Sequence, residues 1–474
     1  MREPTVLSTS SGRPHAPTPT AVPTRPRAAT LPILLTGVFI TILDFFIVNV
    51  AVPSIERDLH ASAAAVQWVV AGYGVAYGSG LIVGSRLGDL FGRRRLFLVG
   101  LAAFGLASAG CGLAPNTGML ITARAVQGAA AALLTPQVLA ILRTTYQGRQ
   151  QRRAISAYAL TMGLAAAFGQ VIGGLLIQAD LFGLGWRTCF LINVPIGAAA
   201  LVLARRAIPE SRQDGAPRLD VAGAILVTLA VVAIMLSLIE GREQGWPLWT
   251  WLLFGLAAAL LMGYSRRRHE SPVIDLSLFR ERAFTVGLLC QLVLTMSMPA
   301  YFLILALYMQ QGRGLAALPA GLLFTAAGTG YVVASLVAPW LTTRLGRQVI
   351  ALGGLTRAAG LTALFLLAAP HHPIGWLVPA LLIDGAGLGL ALAPIMGTVL
   401  ARVAPHQAGA AAGALTTTQQ VGGAIGVGLV GIVFYGSLAS GITPAFQHGL
   451  LFLIAIAVTL AGLVQLLPRT PAPS

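Results

Sequence analysis

Hydrophobic positions in this chain come in long blocks. Runs of roughly 18 to 25 apolar residues alternate with short polar segments that hold nearly all the charge. That run length crosses a hydrocarbon core of about 30 Å. Lipid offers backbone groups no hydrogen-bond partners, so a spanning run must satisfy its own N–H and C=O groups as a helix. The blocks predict fourteen helices, at 31–53, 66–85, 96–114, 119–142, 154–178, 188–205, 221–239, 247–264, 284–309, 320–341, 348–369, 374–400, 409–435 and 449–467. The expected fold class is an all-α integral membrane protein.

Composition agrees. The chain is 56% hydrophobic and 10% charged, against about a quarter charged in a soluble protein. All 31 basic residues are Arg, and the net charge is +16. Such a charge can mark a nucleic-acid partner, but no polar domain is present to carry a binding face. With the N-terminus placed inside, 25 Arg fall in cytoplasmic segments and four (Arg57, Arg187, Arg242 and Arg313) in outer ones; Arg124 and Arg357 lie within spans. This bias satisfies the positive-inside rule and predicts both termini in the cytoplasm. Arg without Lys, together with abundant Ala and Gly, suggests a GC-rich genome. The expected location is a bacterial cell (inner) membrane. Residues 1–30 are rich in Pro, Thr and Ala and read as a disordered cytoplasmic tail. Cys111, Cys189 and Cys290 have no metal-ligand spacing and read as packing residues.

The chain also repeats itself. Arg86-Leu87-Gly88 recurs as Arg344-Leu345-Gly346 and Pro136 as Pro394, both at an offset of 258; Ala159-Leu160-Thr161 recurs as Ala414-Leu415-Thr416 at 255. A nearly constant offset in one order indicates two six-helix halves, 31–205 and 284–467. Between them, 206–283 is a linker with two extra helices, and 468–474 is a short tail. Duplicated halves are typical of transporters that rock about a central site.

Polar residues inside the spans supply the candidate chemistry. Asp44 lies in the first span, where an ionised carboxylate costs at least about 2.5 kcal/mol. It reads as a proton or cation site, or else as an acid neutralised by Arg for helix assembly. Arg124 and Gln127 are three apart, on one face of the fourth helix. Asp384, in the twelfth span, could bind a cationic substrate, carry a second proton or pair with Arg357. Asn49, Gln127, Gln170, Gln419 and Gln420 are candidates for a polar cavity wall, with helix–helix hydrogen bonding as the alternative. Gly169, Gly173 and Gly174 in the fifth span allow close helix approach. The 85–95 turn, Ser85-Arg86-Leu87-Gly88-Asp89-Leu90-Phe91-Gly92-Arg93-Arg94-Arg95, joins two helices through Gly88 and Gly92 and sets one acid, Asp89, among arginines.

These motifs resemble a known family. The 85–95 turn is similar to the signature loop of the major facilitator superfamily, with Ser85 where Gly is usual. Leu43-Asp44 through Val52-Pro53, Gln67-Trp68 and Phe190 through Gly197 resemble the fourteen-span drug:proton antiporters of the EmrB/QacA type, as does Arg124-x-x-Gln127-Gly128. The segment Gly163–Gly174 resembles the antiporter motif, with Gln170 where that motif has Pro. The resemblance covers about residues 31–467. It implies that Asp89, Arg93, Arg94 and Arg95 latch the two halves in one state, and that Arg124 lines the cavity and supports proton transfer. It also implies proton-coupled export of drugs, antibiotics or amphiphilic metabolites; proton-coupled uptake or facilitated transport by the same fold is the alternative. No enzyme signature, cofactor or metal site is expected. The expected partners are a small-molecule substrate, protons and lipid, with a single chain as the working unit. A sensor would need a soluble signalling domain, and no loop is long enough to be one.

Overall fold

The computed structural model describes residues 28–211, 221–266, 276–400 and 408–468. Most of both terminal tails, with Arg212, Arg218, Arg267, Arg268, Arg402 and Arg469, lies outside the described residues. Among the described residues there is no strand. Seven helices form an N-terminal bundle: α1 (Thr30–Leu59), α2 (Ala63–Phe91), α3 (Arg93–Gly112), α4 (Thr117–Thr145), α5 (Gly148–Ala179), α6 (Thr188–Leu191) and α7 (Asn193–Ala207). Two follow as a pair, α8 (Val221–Glu243) and α9 (Leu248–Arg266). The C-terminal bundle holds α10 (Arg282–Met296), α11 (Met298–Leu307), α12 (Ala317–Leu345), α13 (Gln348–Leu367), α14 (Leu377–Leu400), α15 (Ala408–Gly436) and α16 (Ile442–Leu463).

With α6 and α7 counted as one span, and α10 and α11 as another, twelve segments among the described residues are long and apolar enough to cross a bilayer. A thirteenth is α2, if its two parts, bent by 47° between Leu81 and Val83, count as one span. The Gly78-Ser79-Gly80 stretch just before the bend is a composition that favours kinks. The apolar stretch of α8, Ile225–Gly241, is shorter. The ninth predicted helix is broken at Ser297, because Pro299 has no N–H to continue the ladder and starts α11 instead. That span ends in a π-helical turn, Tyr308–Gly312.

Helix α4 packs on α2 and α3, and α14 packs correspondingly on α12 and α13. The pair α8–α9 docks through α8 on α2 and α15, one helix from each bundle. The bundles meet along α5–α12 and α2–α15. Small residues make this seam. Gly174 faces the Ala317 carbonyl and Leu318, and Gly321 faces the Gln170 backbone. On α15, Gly431 receives Gln67, while Gly78 of α2 receives Gln420. Two side-chain hydrogen bonds between described residues cross the seam, both from the π-turn: Gln310 Nε2 donates to the Val50 carbonyl at 2.9 Å and Gln311 Nε2 to Glu56 Oε2 at 2.8 Å. No ion pair joins described residues of the two bundles. These contacts gather at the end opposite the Arg-rich turns, so the structure is closed at that end.

A Cβ on Gly174 would stand 2.6 Å from the Ala317 carbonyl oxygen. Gly174→Leu should therefore wedge the seam, at an overpacking cost of about 1–3 kcal/mol against the closed arrangement. Spin labels on exposed Arg57 and Ala316, at this end of the two bundles, should report one short distance in the parent and an added longer one in the variant.

Candidate functional site

The polar positions of the first, third, fourth and sixth predicted spans converge inside the N-terminal bundle. Asp44 and Arg124 are both fully buried and form an ion pair, with Arg124 Nη1 donating to Asp44 Oδ2. One helical turn on, Gln127 accepts from the same Nη1 at 2.8 Å and donates its Nε2 to Asp44 Oδ1 at 2.9 Å. The i, i+3 spacing on α4 thus aims both side chains at one carboxylate. Asn193, at the start of α7, donates a third hydrogen bond to Asp44 Oδ1 at 2.9 Å. Ser108 of α3 accepts from Gln127 and Asn193, each at 3.0 Å, and donates to the Phe190 carbonyl at 2.9 Å. Arg124 Nε donates to the Val69 carbonyl of α2 at 3.1 Å, and the guanidinium lies over the Tyr73 ring, 4.5 Å from its centroid. Four helices besides α1 therefore meet at Asp44.

A buried ion pair repays its desolvation only when hydrogen bonds satisfy the remaining valences. Here both Asp44 oxygens are engaged, while Arg124 Nη2 and Asn193 Oδ1 have no partner. Two residues along α1, Phe46 reaches the seam. Its carbonyl accepts from Asn49 Nδ2 at 3.1 Å and from Gln170 Nε2 at 2.9 Å, and its ring meets Phe302 of α11 edge-on at 5.4 Å.

The structure thus places Gln127 in the buried network, away from any cavity wall in this arrangement. Asn49 and Gln170 are buried at the α1–α5 contact. Gly169 and Gly173 let α5 approach Leu43, Phe46, Ile47 and Val50 of α1, and Gly174 faces α12. Helix α5 runs unbroken through Gln170. Gln420 lines a narrow cleft of about 10 Å³ with Phe45, Gly74 and Pro299, while Gln419 is half-buried beside it on α15. That volume holds about one water. Asp384 stands apart in the C-terminal bundle, paired with Arg357 at 3.4 Å.

The Arg-rich turn closes on itself. Gly92 has φ 105°, a backbone that favours glycine. Across it, Asp89 Oδ1 accepts from Arg93 Nη2 at 2.8 Å. Gly88 lies against Gln137 of α4. Glu210, just beyond α7, accepts from the backbone N–H groups of Arg94 at 3.0 Å and Arg95 at 3.3 Å, where a carboxylate is favoured at the start of α3. The Arg94 side chain donates to the Arg205 carbonyl. These contacts tie α2, α3, α4 and the segment after α7 together within one bundle; none of them reaches the other. Sequence reasoning missed Glu210, Ser108 and Tyr73. It noted Asn193 only within a motif, where a lone Asn in an apolar run was the available signal.

Two helical bundles thus meet at a closed seam, with a buried ion pair beside it. The model of the Major Facilitator Superfamily matches residues 34–427, and the chain belongs to that family. It is 36% identical to a probable actinorhodin transporter of Streptomyces coelicolor, over 89% of this chain and 75% of that protein. It is also 36% identical to the cephamycin export protein CmcT of Amycolatopsis lactamdurans, over 92% of this chain and 91% of that protein. Among solved structures, the fold is similar to a D-xylose–proton symporter at 14% identity, with a TM-score of 0.67 over 94% of this chain and 98% of that one.

Proposed function

We propose that the chain exports antibiotics or other amphiphilic small molecules in exchange for protons, by alternating access across the bacterial cell membrane. The observation that carries this reading is the fully buried Asp44–Arg124 pair, held by Gln127 and Asn193 one turn from the seam. The roles of these relatives in transport and export favour cargo of the antibiotic kind. The chain acts as a monomer with fourteen spans, α8 and the bent α2 included, and with both termini and the Arg-rich turns in the cytoplasm. The structure then stands closed to the outside. A proton arriving from outside neutralises Asp44 and frees Arg124; cargo leaves outward; loss of the proton to the cytoplasm resets the pair. The two halves, 31–205 and 284–467, rock about the seam. Asp89 and Arg93 to Arg95 hold the cytoplasmic turn, and Gln419 and Gln420 face cargo when the seam parts.

A susceptibility panel with and without the gene identifies the cargo. Inverted vesicles then test the coupling. Respiration acidifies their lumen, and adding that cargo should release protons, read as recovery of quenched acridine orange fluorescence. Uptake coupled to protons in the same direction would deepen the quench instead and overturn export.

A further inference from the structure

We propose that Arg357, Asp384 and Tyr301 form a hydrated proton-exchange centre in the C-terminal bundle, separate from Asp44. This deepens the antiport reading and rests on it for its role in the cycle, though not for its chemistry. The three side chains come from α13, α14 and α11. Each residue is 2% exposed. Gly360 lies against the Asp384 backbone and Gly387 against the Arg357 backbone, so α13 and α14 hold the pair at close quarters. Arg357 Nε stands 3.4 Å from Asp384 Oδ1, outside hydrogen-bonding geometry. The Tyr301 ring lies 5.6 Å from the guanidinium carbon, and its hydroxyl faces Asp384.

The cluster differs from the Asp44 network in its valences. Arg357 Nε and Nη1, Asp384 Oδ1 and Tyr301 Oη are all buried without a hydrogen-bond partner. Such a concentration of orphaned groups calls for an occupant. The donors and the acceptor limit what it can be. A metal ion would face the Arg357 charge. A simple anion would face Asp384 and leave its Oδ1 unsatisfied. Water does both jobs, donating to Asp384 and accepting from Arg357 and Tyr301, as internal waters do. A proton taken up from bulk and relayed through that water, which stays neutral, makes Asp384 a donor in turn, and the pair passes from zero charge to one positive charge. On the α12 side, α14 meets only the uncharged Ala327 and Gly330 among the described contacts. Nor is the centre a copy of the first, because the repeat offset sets Asp384 opposite Val126 and Asp44 opposite Phe302.

Infrared difference spectroscopy during a pH titration, on purified protein in lipid, tests the assignment with no cargo present. Asp44→Asn protein should retain a carboxylic acid C=O band that appears as pH falls, and Asp44→Asn/Asp384→Asn should lose it. Tyr301→Phe, a smaller change, should keep the band but shift its frequency, so the test survives if the double variant fails to fold. No titrating carboxyl band in folded Asp44→Asn, or no band shift in Tyr301→Phe, would overturn the proposal by showing a permanently ionised, structural pair. Failure of antiport in vesicles would leave these spectra unchanged, so the two readings fail separately.

Discussion

Asp44→Asn should give a folded, membrane-inserted protein that no longer concentrates cargo. A potential of 100 mV supplies about 2.3 kcal/mol per charge moved, and each pH unit adds about 1.36 kcal/mol. One proton can thus hold a cargo ratio of roughly tens to hundreds across the membrane. Without an exchangeable carboxyl that ratio should fall to about one, read as cargo accumulation in inverted vesicles. The two roles considered for Asp44 part here. If it cycles through a protonated form, the fold already accommodates a neutral side chain beside Arg124, and the Asn variant stays stable. If the pair serves only assembly, removing its negative member strands a buried cation at about 3–5 kcal/mol, and the loss shows in thermal unfolding. Accumulation undiminished in a folded Asn variant would remove Asp44 from the coupling altogether.

Arg124→Met should be the more damaging change to the fold. It removes the donors to Asp44, Gln127 and the Val69 carbonyl at once. An ionised Asp44 would be left uncompensated, at about 3–5 kcal/mol. Combining it with Asp44→Asn should restore most of that loss, giving a coupling of at least about 1.5 kcal/mol between the two sites in a double-mutant cycle. Additive losses in thermal unfolding would mean that the two side chains do not sense each other. Arg124→Lys should fall between, since an ammonium keeps the charge but cannot reproduce the guanidinium fork.

Much of this was legible in the sequence. Block length announced helices, and the offset of the repeated segments anticipated that α4 and α14 pack alike. The spacing of Arg124 and Gln127 put both on one face, and an acid in the first span supplied their target. What was not legible depends on contacts far apart along the chain. Ser108 sits in a helix of small residues and gives no signal until α7 brings Asn193 to it. Glu210 looks like an ordinary charge after a span until the chain returns it to the start of α3. Apolar run length, in turn, weighs neither Pro299, which breaks the ninth span at Ser297, nor the local backbone geometry of the π-turn at Tyr308–Gly312.

The makeup of the seam bears on the medium in which the protein works. Neutral amide donors and glycine-backed contacts close it, without an ion pair between described residues. At physiological salt, charges are screened over about 8 Å, so a closure built on exposed ion pairs would loosen as salinity rose. This one should keep the same balance between closed and open in dilute and in salty surroundings, as the labels on Arg57 and Ala316 would register across a salt series.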